Sequence, residues 1–97
     1  MKIEKKLENN TLLLEVEGRL DTVTSPELEQ KIGDLNGVKE LIIDLKNLEY
    51  ISSAGLRVIL KAQKMINGKG TMIIKNVKEN IMEVFNITGF SDFLTIK

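Results

Sequence analysis

The feature that most constrains the fold is the alternation of short strand-like runs with longer helix-like stretches. The predicted elements, in chain order, are strands over 2–8 and 11–17, a helix over 25–35, a strand over 40–45, a helix from Ser52 or Ser53 to 66, a strand over 71–76, a helix over 79–88 and a short last strand over 93–96. Strands that alternate with helices of about 10–14 residues favour right-handed βαβ units. We therefore predict an α/β fold, one domain over residues 1–97, with a central mainly parallel or mixed sheet of four to five strands and three or more helices packed on it.

The connections and helix starts carry more local signals. Asn9-Asn10 predicts a two-residue hairpin turn, because asparagine tolerates positive φ. The run Glu40 to Leu45 is typical of a central strand buried on both faces, and a polar loop is expected between it and Ser52.

Two signals compete at the start of the first helix. Thr24 precedes Glu27 by three residues, which is the capping-box spacing. Ser25-Pro26 instead fits serine as the N-cap with proline at the first helical position. The sequence leaves both registers open.

Composition excludes several classes of protein. The chain has no cysteine and no histidine, which removes disulfides, thiolate sites, the commonest metal ligand and the commonest general base. We therefore predict no catalytic residues, no metal and no cofactor, and an enzyme is the least favoured class. Fourteen basic residues balance fourteen acidic ones, which disfavours nucleic acid as a partner. The charged N-terminus and the lack of any apolar run near ~20 residues predict a cytoplasmic protein without a membrane partner.

The zero net charge conceals an asymmetry along the chain. Residues 1–50 carry 7 basic and 11 acidic side chains, whereas residues 51–97 carry 7 basic and 3 acidic ones. Opposite fields on one small domain can orient a partner. Half-chain sums also scatter by several units by chance, so the asymmetry alone does not decide between these interpretations.

Two adjacent serines mark the predicted start of the second helix. The chain has four serines, and Ser52 and Ser53 follow a predicted strand and loop. Their oxygens are expected near unpaired backbone N–H groups at the positive end of the helix dipole, where a phosphate is favoured. Serine is also a preferred N-cap worth ~1 kcal/mol, so spacing alone favours a structural role.

A row of cations follows these serines on the same helix. At 100° per residue, Arg57, Lys61 and Lys64 fall on the side of the helix that Ser53 begins, with Val58 and Met65 as apolar flanks. The row is either a solvated helix face or a docking ridge for an acidic partner surface. In the second case Arg57, four residues on, can also reach a phosphate on Ser53.

Asp21 and Asp44 stand where strands are predicted to end, which is where α/β folds place ligands. A carboxylate pair there can bind a metal or act in acid–base chemistry. Aspartates at such positions more often cap loops by accepting hydrogen bonds from backbone N–H groups, and we favour that interpretation.

Taken together, four segments resemble the STAS domain of bacterial anti-sigma factor antagonists. They are Gly18-Arg19-Leu20-Asp21, Ser25-Pro26-Glu27-Leu28, Asp44-Leu45 with Ser52-Ser53-Ala54-Gly55-Leu56, and Val84-Phe85-Asn86-Ile87-Thr88-Gly89-Phe90. The resemblance covers nearly the whole chain in the right order. It implies a single STAS domain over residues 1–97.

The resemblance also implies a partner switch. Such a protein binds an anti-sigma factor that is also a serine kinase, which frees the sigma factor; the kinase then uses ATP to phosphorylate the antagonist, and a phosphatase resets it. The family's phosphoacceptor is the serine before the [Ser/Ala/Thr]-Gly pair, which maps onto Ser53. The preceding position is often aspartate in the family but is Ser52 here, which makes Ser52 the second-choice acceptor. The residues expected at the partner surface are Asp21, Thr22, Ser52, Ser53, Gly55, Leu56 and Arg57.

Two other functions stay open at this point. The resemblance also allows a ligand-binding module, because the same domain serves as one in some members of the family, with nucleotide or lipid-pathway partners. The domain can also be a subunit of a larger regulatory or transport assembly that no sigma factor controls.

Overall fold

A five-stranded mixed sheet organises the chain in the computed structural model, which describes residues 1–97. Its strands are β1 (Lys2–Glu8), β2 (Thr11–Leu20), β3 (Glu40–Asp44), β4 (Leu48–Ile51) and β5 (Thr71–Lys75). The order is β1-β2-β3-β5, and β4 pairs with β2 separately. Only β1 and β2 are antiparallel, joined through the predicted Asn9-Asn10 turn. The predicted sheet type and strand number are confirmed.

Three α-helices follow the predicted order. They are α1 (Ser25–Ile32), α2 (Ser53–Ile66) and α3 (Glu79–Thr88), and a 3-10 turn covers Phe90–Asp92. The prediction that α1 continues to Leu35 is wrong, because Gly33 takes a φ of 66° and ends the helix. None of the helices combines the length and the apolar character needed to cross a bilayer.

The prediction of a polar loop between β3 and α2 is wrong, because residues Leu48–Ile51 form the strand β4. Leu48 and Ile51 are buried, and the strand lies beside residues 18–20 of β2. β2 is longer than predicted and extends beyond its pairing with β3, which ends at Glu15. That overhang gives β4 an edge to pair with, which no local pattern in residues 46–51 reveals.

The predicted last strand is also largely wrong. It is reduced to one parallel bridge between Ile96 and Ile74. Leu94 is buried there, whereas Phe93 is 69% exposed. Since β5 is the last strand of the main sheet, this tail covers part of its outer edge.

All three helices cover the same face of the sheet. The buried side chains of β2, β3 and β5 alternate with partly exposed ones and join those of the helices in one core. Leu13, Ile42 and Ile73 point the other way, are only partly buried and lie outside that core. The prediction that residues 40–45 are buried on both faces is therefore wrong. We call the side of the sheet that bears Leu13, Ile42 and Ile73 the open face.

Close packing holds α2 against the ends of β2 and β4. A Cβ atom on Gly55 would lie 2.7 Å from Cγ of Leu20 and 3.0 Å from Cγ1 of Ile51. Leu20 is fully buried, so its side chain has little room to move. Glycine at this position lets the helix start lie directly on the sheet.

We expect Gly55→Ala to destabilise the protein by about 1–3 kcal/mol, the usual cost of overpacking a core. The gain in helix propensity, about 1 kcal/mol, offsets part of that cost. Urea denaturation measures the difference, with Lys64→Ala on the exposed side of the same helix as the control. A Gly55→Ala variant as stable as the parent would contradict this account of the packing.

Candidate functional site

The candidate site forms where β2 and β4 end and α2 begins. The backbone N–H of Ser52 donates to the carbonyl of Leu20 at 2.9 Å, and the N–H of Leu56 donates to the carbonyl of Ser52 at 3.0 Å. One residue thus joins the end of a central strand to the first turn of the helix. These two hydrogen bonds fix the position of the helix start at this edge of the sheet.

Ser53 is the first residue of α2, and its side chain is exposed. The first amides of a helix have no intrahelical acceptor and carry the positive end of the helix dipole. No acidic residue stands in the first turn of α2 to oppose that field. The position can therefore carry a phosphate with little local cost.

Ser52 occupies the N-cap position in an extended conformation, with φ −101° and ψ 176°. Its hydroxyl nevertheless makes no capping bond to the helix. The Oγ atom exposes less than 1 Å² and has no hydrogen-bond partner. Ser52 therefore stands at the N-cap position, but the expectation that its side chain caps the helix is wrong.

One of the three cations in the row on α2 is already engaged in an ion pair within the chain. Arg57 and Lys64 are exposed, but Lys61 donates to Oε2 of Glu29 on α1 at 2.6 Å. Val58 is buried and cannot form the expected apolar flank, whereas Met65 is partly buried. Arg57 is thus the cation available one helical turn after Ser53.

A shallow depression between α1 and α2 brings two predicted site residues together. It has a volume of about 310 Å³. Its lining residues are Thr22, Ser25, Pro26, Glu29, Ala54, Arg57, Val58 and Lys61. Thr22 and Arg57 therefore share one surface beside the start of α2.

Asp21 organises the loop that carries Thr22. Its Oδ1 accepts hydrogen bonds from the N–H of Val23 at 3.0 Å and from the N–H of Thr24 at 3.1 Å. The single proton of the Thr24 hydroxyl is shared between this oxygen, at 3.1 Å, and the Arg19 carbonyl, at 2.7 Å. The hydrogen bond from the Thr24 N–H holds the pKa of Asp21 below its ordinary value. The Thr24 hydroxyl, the Val23 N–H and the charge of Arg19 lower this pKa further. This carboxylate shapes the loop as an anion.

Asp44 plays a similar part at the end of β3. Its Oδ1 accepts from the N–H of Lys46 at 2.9 Å, and its carboxylate accepts from the side-chain amide of Asn76. The preferred interpretation of both aspartates as loop caps is confirmed. No cluster of three or more acidic side chains has a geometry suited to a metal ion.

The predicted capping box at α1 does not form. Thr24 does stand at the N-cap, but its hydroxyl accepts from the N–H of Asp21 and donates to the carbonyl of Arg19. The alternative register, with Ser25 as the N-cap, is wrong because Ser25 is the first helical residue. The loop uses Thr24 to close itself and leaves the first helical amides without a side-chain cap.

Two residues expected at the partner surface are buried. Gly55 lies against Leu20, and Leu56 is 4% exposed. Their expected role as surface contacts is therefore corrected to packing beneath the helix start. Of the other expected residues, Thr22, Ser53 and Arg57 are exposed, whereas Asp21 and Ser52 are partly exposed.

Sequence reasoning missed two features at this end of the sheet. The Arg19 guanidinium lies 4.2 Å from the centroid of the Tyr50 ring, across the β2–β4 pair. Recognition of β4 would have been needed to find it. The second feature is Val23, which follows Thr22 in the loop and is 85% exposed. A single apolar residue between two threonines could have indicated an exposed contact residue.

The STAS domain family model matches residues 2–97 of the chain. The chain therefore belongs to the STAS domain family. It is 29% identical over 96 residues to the anti-sigma-B factor antagonist of Bacillus subtilis, covering 97% of this chain and 88% of that protein. It is 28% identical over 99 residues to the anti-sigma-B factor antagonist of Staphylococcus aureus, covering 99% of this chain and 92% of that protein.

Solved structures show the same fold. An anti-sigma factor antagonist from Mycobacterium paratuberculosis superposes with a TM-score of 0.88 at 22% identity, covering 98% of this chain and 83% of that one. The anti-sigma factor antagonist SpoIIAA in its unphosphorylated form superposes with a TM-score of 0.78 at 17% identity, covering 99% of this chain and 87% of that one. The predicted fold family is confirmed.

We predict that Asp21→Asn lowers stability at neutral pH but not in strong acid. Because the pKa of Asp21 is lowered in the folded state, its contribution is present above the ordinary aspartate pKa, about 3.9. That contribution is lost as the pH falls through the lowered value. Urea unfolding between about pH 2 and pH 6 should show the two curves converging in acid. A pH-independent gap would contradict the hydrogen-bonded anion.

We predict that Ser52→Ala is neutral or stabilising in urea unfolding. Loss of a serine N-cap ordinarily costs about 0.5–2 kcal/mol. Here the hydroxyl is enclosed and unpaired, so its removal relieves a desolvation penalty instead. Thr24→Ala is the control, because the Thr24 hydroxyl is hydrogen-bonded, and it should destabilise. A loss of about 1 kcal/mol or more in Ser52→Ala would show that the hydroxyl does cap the helix.

Proposed function

We propose that this protein is an anti-sigma factor antagonist that works by partner switching. In the unphosphorylated state it binds a serine-kinase anti-sigma factor and so releases the sigma factor. The observation that carries the proposal is Ser53, an exposed hydroxyl at the start of α2 with no acid in the first turn. Relatives named anti-sigma-B factor antagonists, covered over nearly their whole length, support it.

Phosphorylation at Ser53 is the proposed off switch. The γ-phosphoryl group of ATP passes to Oγ of Ser53, the bond to the bridging oxygen breaks and ADP leaves. The hydroxyl proton goes to a base of the kinase. A phosphatase reverses the modification with water and releases inorganic phosphate.

Accessibility favours Ser53 over Ser52 as the acceptor. Phosphoryl transfer needs the attacking oxygen in line with the phosphorus. The Ser53 side chain is exposed, whereas the Ser52 Oγ exposes less than 1 Å². A kinase would have to open the start of α2 to reach Ser52.

The modification acts on the interface rather than on the fold. A phosphate adds about −1.5 to −2 charges at neutral pH. On the free protein, the helix N-terminus and the Arg57 guanidinium one turn away stabilise that charge. In a complex, the same charge would be buried against a partner without a matching cation, which costs several kcal/mol. Binding would then weaken by orders of magnitude.

The proposed contact surface surrounds Ser53. It includes Thr22 and Arg57, which line one depression, and the exposed Val23 in the loop that Asp21 shapes. Val23 is the chain neighbour of Thr22, which shares the depression with Arg57, and an exposed apolar side chain on the same side as a cation suits a mixed apolar and acidic partner surface. Gly55 and Leu56 support this surface from below.

The test is phosphorylation by the serine-kinase anti-sigma factors of the same organism with Mg²⁺ and ATP. We expect mass spectrometry to find one phosphate on Ser53 and to find none on Ser53→Ala. Ser52→Ala is the matched control and should be phosphorylated at close to the parental rate. Titration calorimetry should show the phosphorylated protein binding the kinase at least about tenfold more weakly than the unmodified protein.

Two results would overturn parts of this proposal. Equal phosphorylation of Ser53→Ala and the parent would place the acceptor elsewhere. Equal kinase affinity with and without the phosphate would remove the switch, even with the acceptor correct.

A further inference from the structure

The open face of the sheet combines an apolar centre with acidic borders. The register of the four strands β1, β2, β3 and β5 places Leu13, Ile42 and Ile73 side by side in one row across β2, β3 and β5. All three are partly exposed and lie outside the core that the helices cover. No helix of this chain packs on them.

Acidic side chains flank this apolar row on both sides. One acidic row lies two residues beyond the apolar row, toward the carboxyl ends of the parallel strands. It consists of Glu4 on β1, Glu15 on β2 and Asp44 on β3, which are direct neighbours across the strands. Glu8 and Glu40 stand in the row on the other side, where both are paired with Thr11. On one side the register therefore gives a row of three carboxylates that ends at Lys75 on β5. On the other side Glu8 and Glu40 alternate with Thr11 and Thr71, and the apolar row lies between these two rows.

The open face carries a net negative charge. On these four strands it presents six carboxylates, which are the five named above and that of Glu17. It also presents the ammonium groups of three lysines, Lys2, Lys6 and Lys75, so its net charge is −3. Since the whole chain has a formal net charge of zero, the rest of the surface carries +3. One depression of about 280 Å³ on this side is lined by four carboxylates, those of Glu4, Glu15, Glu17 and Asp44, and by two lysines, Lys2 and Lys46.

Like charges directly opposite one another on neighbouring strands are unfavourable in the free protein. The β1–β2–β3 row places Glu15 between two other carboxylates. Within the chain, Lys2 lies 3.5 Å from Glu4, and Asp44 accepts hydrogen bonds from Lys46 and Asn76, whereas Glu15 has no such partner. A cationic partner would relieve the repulsion that remains around Glu15. An anionic membrane or a nucleic acid would increase it, so the charge disfavours both.

We propose that the open face is a docking surface for a basic amphipathic helix of a partner protein. Neighbouring strands lie about 4.8 Å apart, and side chains one helical turn apart lie about 5–6 Å apart. A helix lying across the strands can therefore place one apolar side chain over each of Leu13, Ile42 and Ile73. Lysines or arginines on its two flanks then meet Glu15 and Asp44 on one side and Glu40 on the other, in rows about 6.6 Å away. Over β5 the flanking residues are Thr71 and Lys75, so the charge contacts are made over β2 and β3.

This surface is distinct from the switch site. Ser53 belongs to α2, which lies on the opposite face of the sheet. Both surfaces can be occupied at once, and a phosphate on Ser53 adds no contact to the open face. The docking proposal therefore stands or fails independently of the proposed partner switch.

The test uses a synthetic amphipathic helix of about 18 residues, five turns, with a leucine stripe flanked by lysines. Its matched control replaces each lysine with glutamate. Peptide binding is measured by fluorescence anisotropy, and the contact surface is mapped by amide chemical shifts in ¹⁵N-labelled protein. We expect shifts centred on Leu13, Ile42 and Ile73 with the lysine peptide, affinity that falls as salt rises, and no binding of the glutamate peptide.

Two protein variants sharpen the test. Glu15→Lys reverses a charge in the middle of one carboxylate row and should weaken binding about tenfold. Glu83→Lys makes the same change on α3, across the sheet, and should leave the affinity unchanged. Circular dichroism confirms that both variants are folded before the affinities are compared.

Three outcomes would overturn the proposal. They are no binding of the lysine peptide at about 1 mM, where even weak complexes are seen, shifts confined to the helical face, or equal binding by Glu15→Lys and the parent. Association of the protein with itself through Leu13, Ile42 and Ile73, seen in sedimentation without peptide, would assign this face to a second copy of the chain instead.

Discussion

The length of β2 is the constraint on which the rest of the structure depends. Its first half pairs with β3 and its last residues pair with β4. The overhang lets the chain rejoin the sheet after β3 and then enter α2 directly at the sheet edge. The hydrogen bond from Ser52 to Leu20 and the contact of Gly55 with the same leucine depend on that overhang. A shorter β2 would leave Ser53 on an unsupported loop.

The same arrangement separates an exposed hydroxyl from an enclosed one. Ser52 and Ser53 are adjacent, yet one oxygen is enclosed between strand and helix and the other faces solvent. Because backbone hydrogen bonds hold the helix start on the sheet, the phosphate of the proposed switch would change the charge of the surface without needing to move the backbone.

Helical periodicity and turn chemistry predicted α2 and α3 well, because side chains at i, i+3 and i+4 report the buried side of a helix locally. The site was predictable where it depends on short motifs, as at Ser53 and Arg57. Prediction failed where another part of the chain decides the outcome. Residues 48–51 become a strand only because β2 offers them an edge.

The sequence by itself determined the types and order of most elements, the absence of histidine and cysteine, the paired serines and the even count of charges. Those properties are local or additive, so no folded neighbour is needed to establish them. Only the tertiary structure decided which face of the sheet the helices cover, and hence that Ile42 is left on the open face among carboxylates. Burial and charge proximity depend on contacts between residues that are distant in the chain, and strand register brings Glu4, Glu15 and Asp44 into one row.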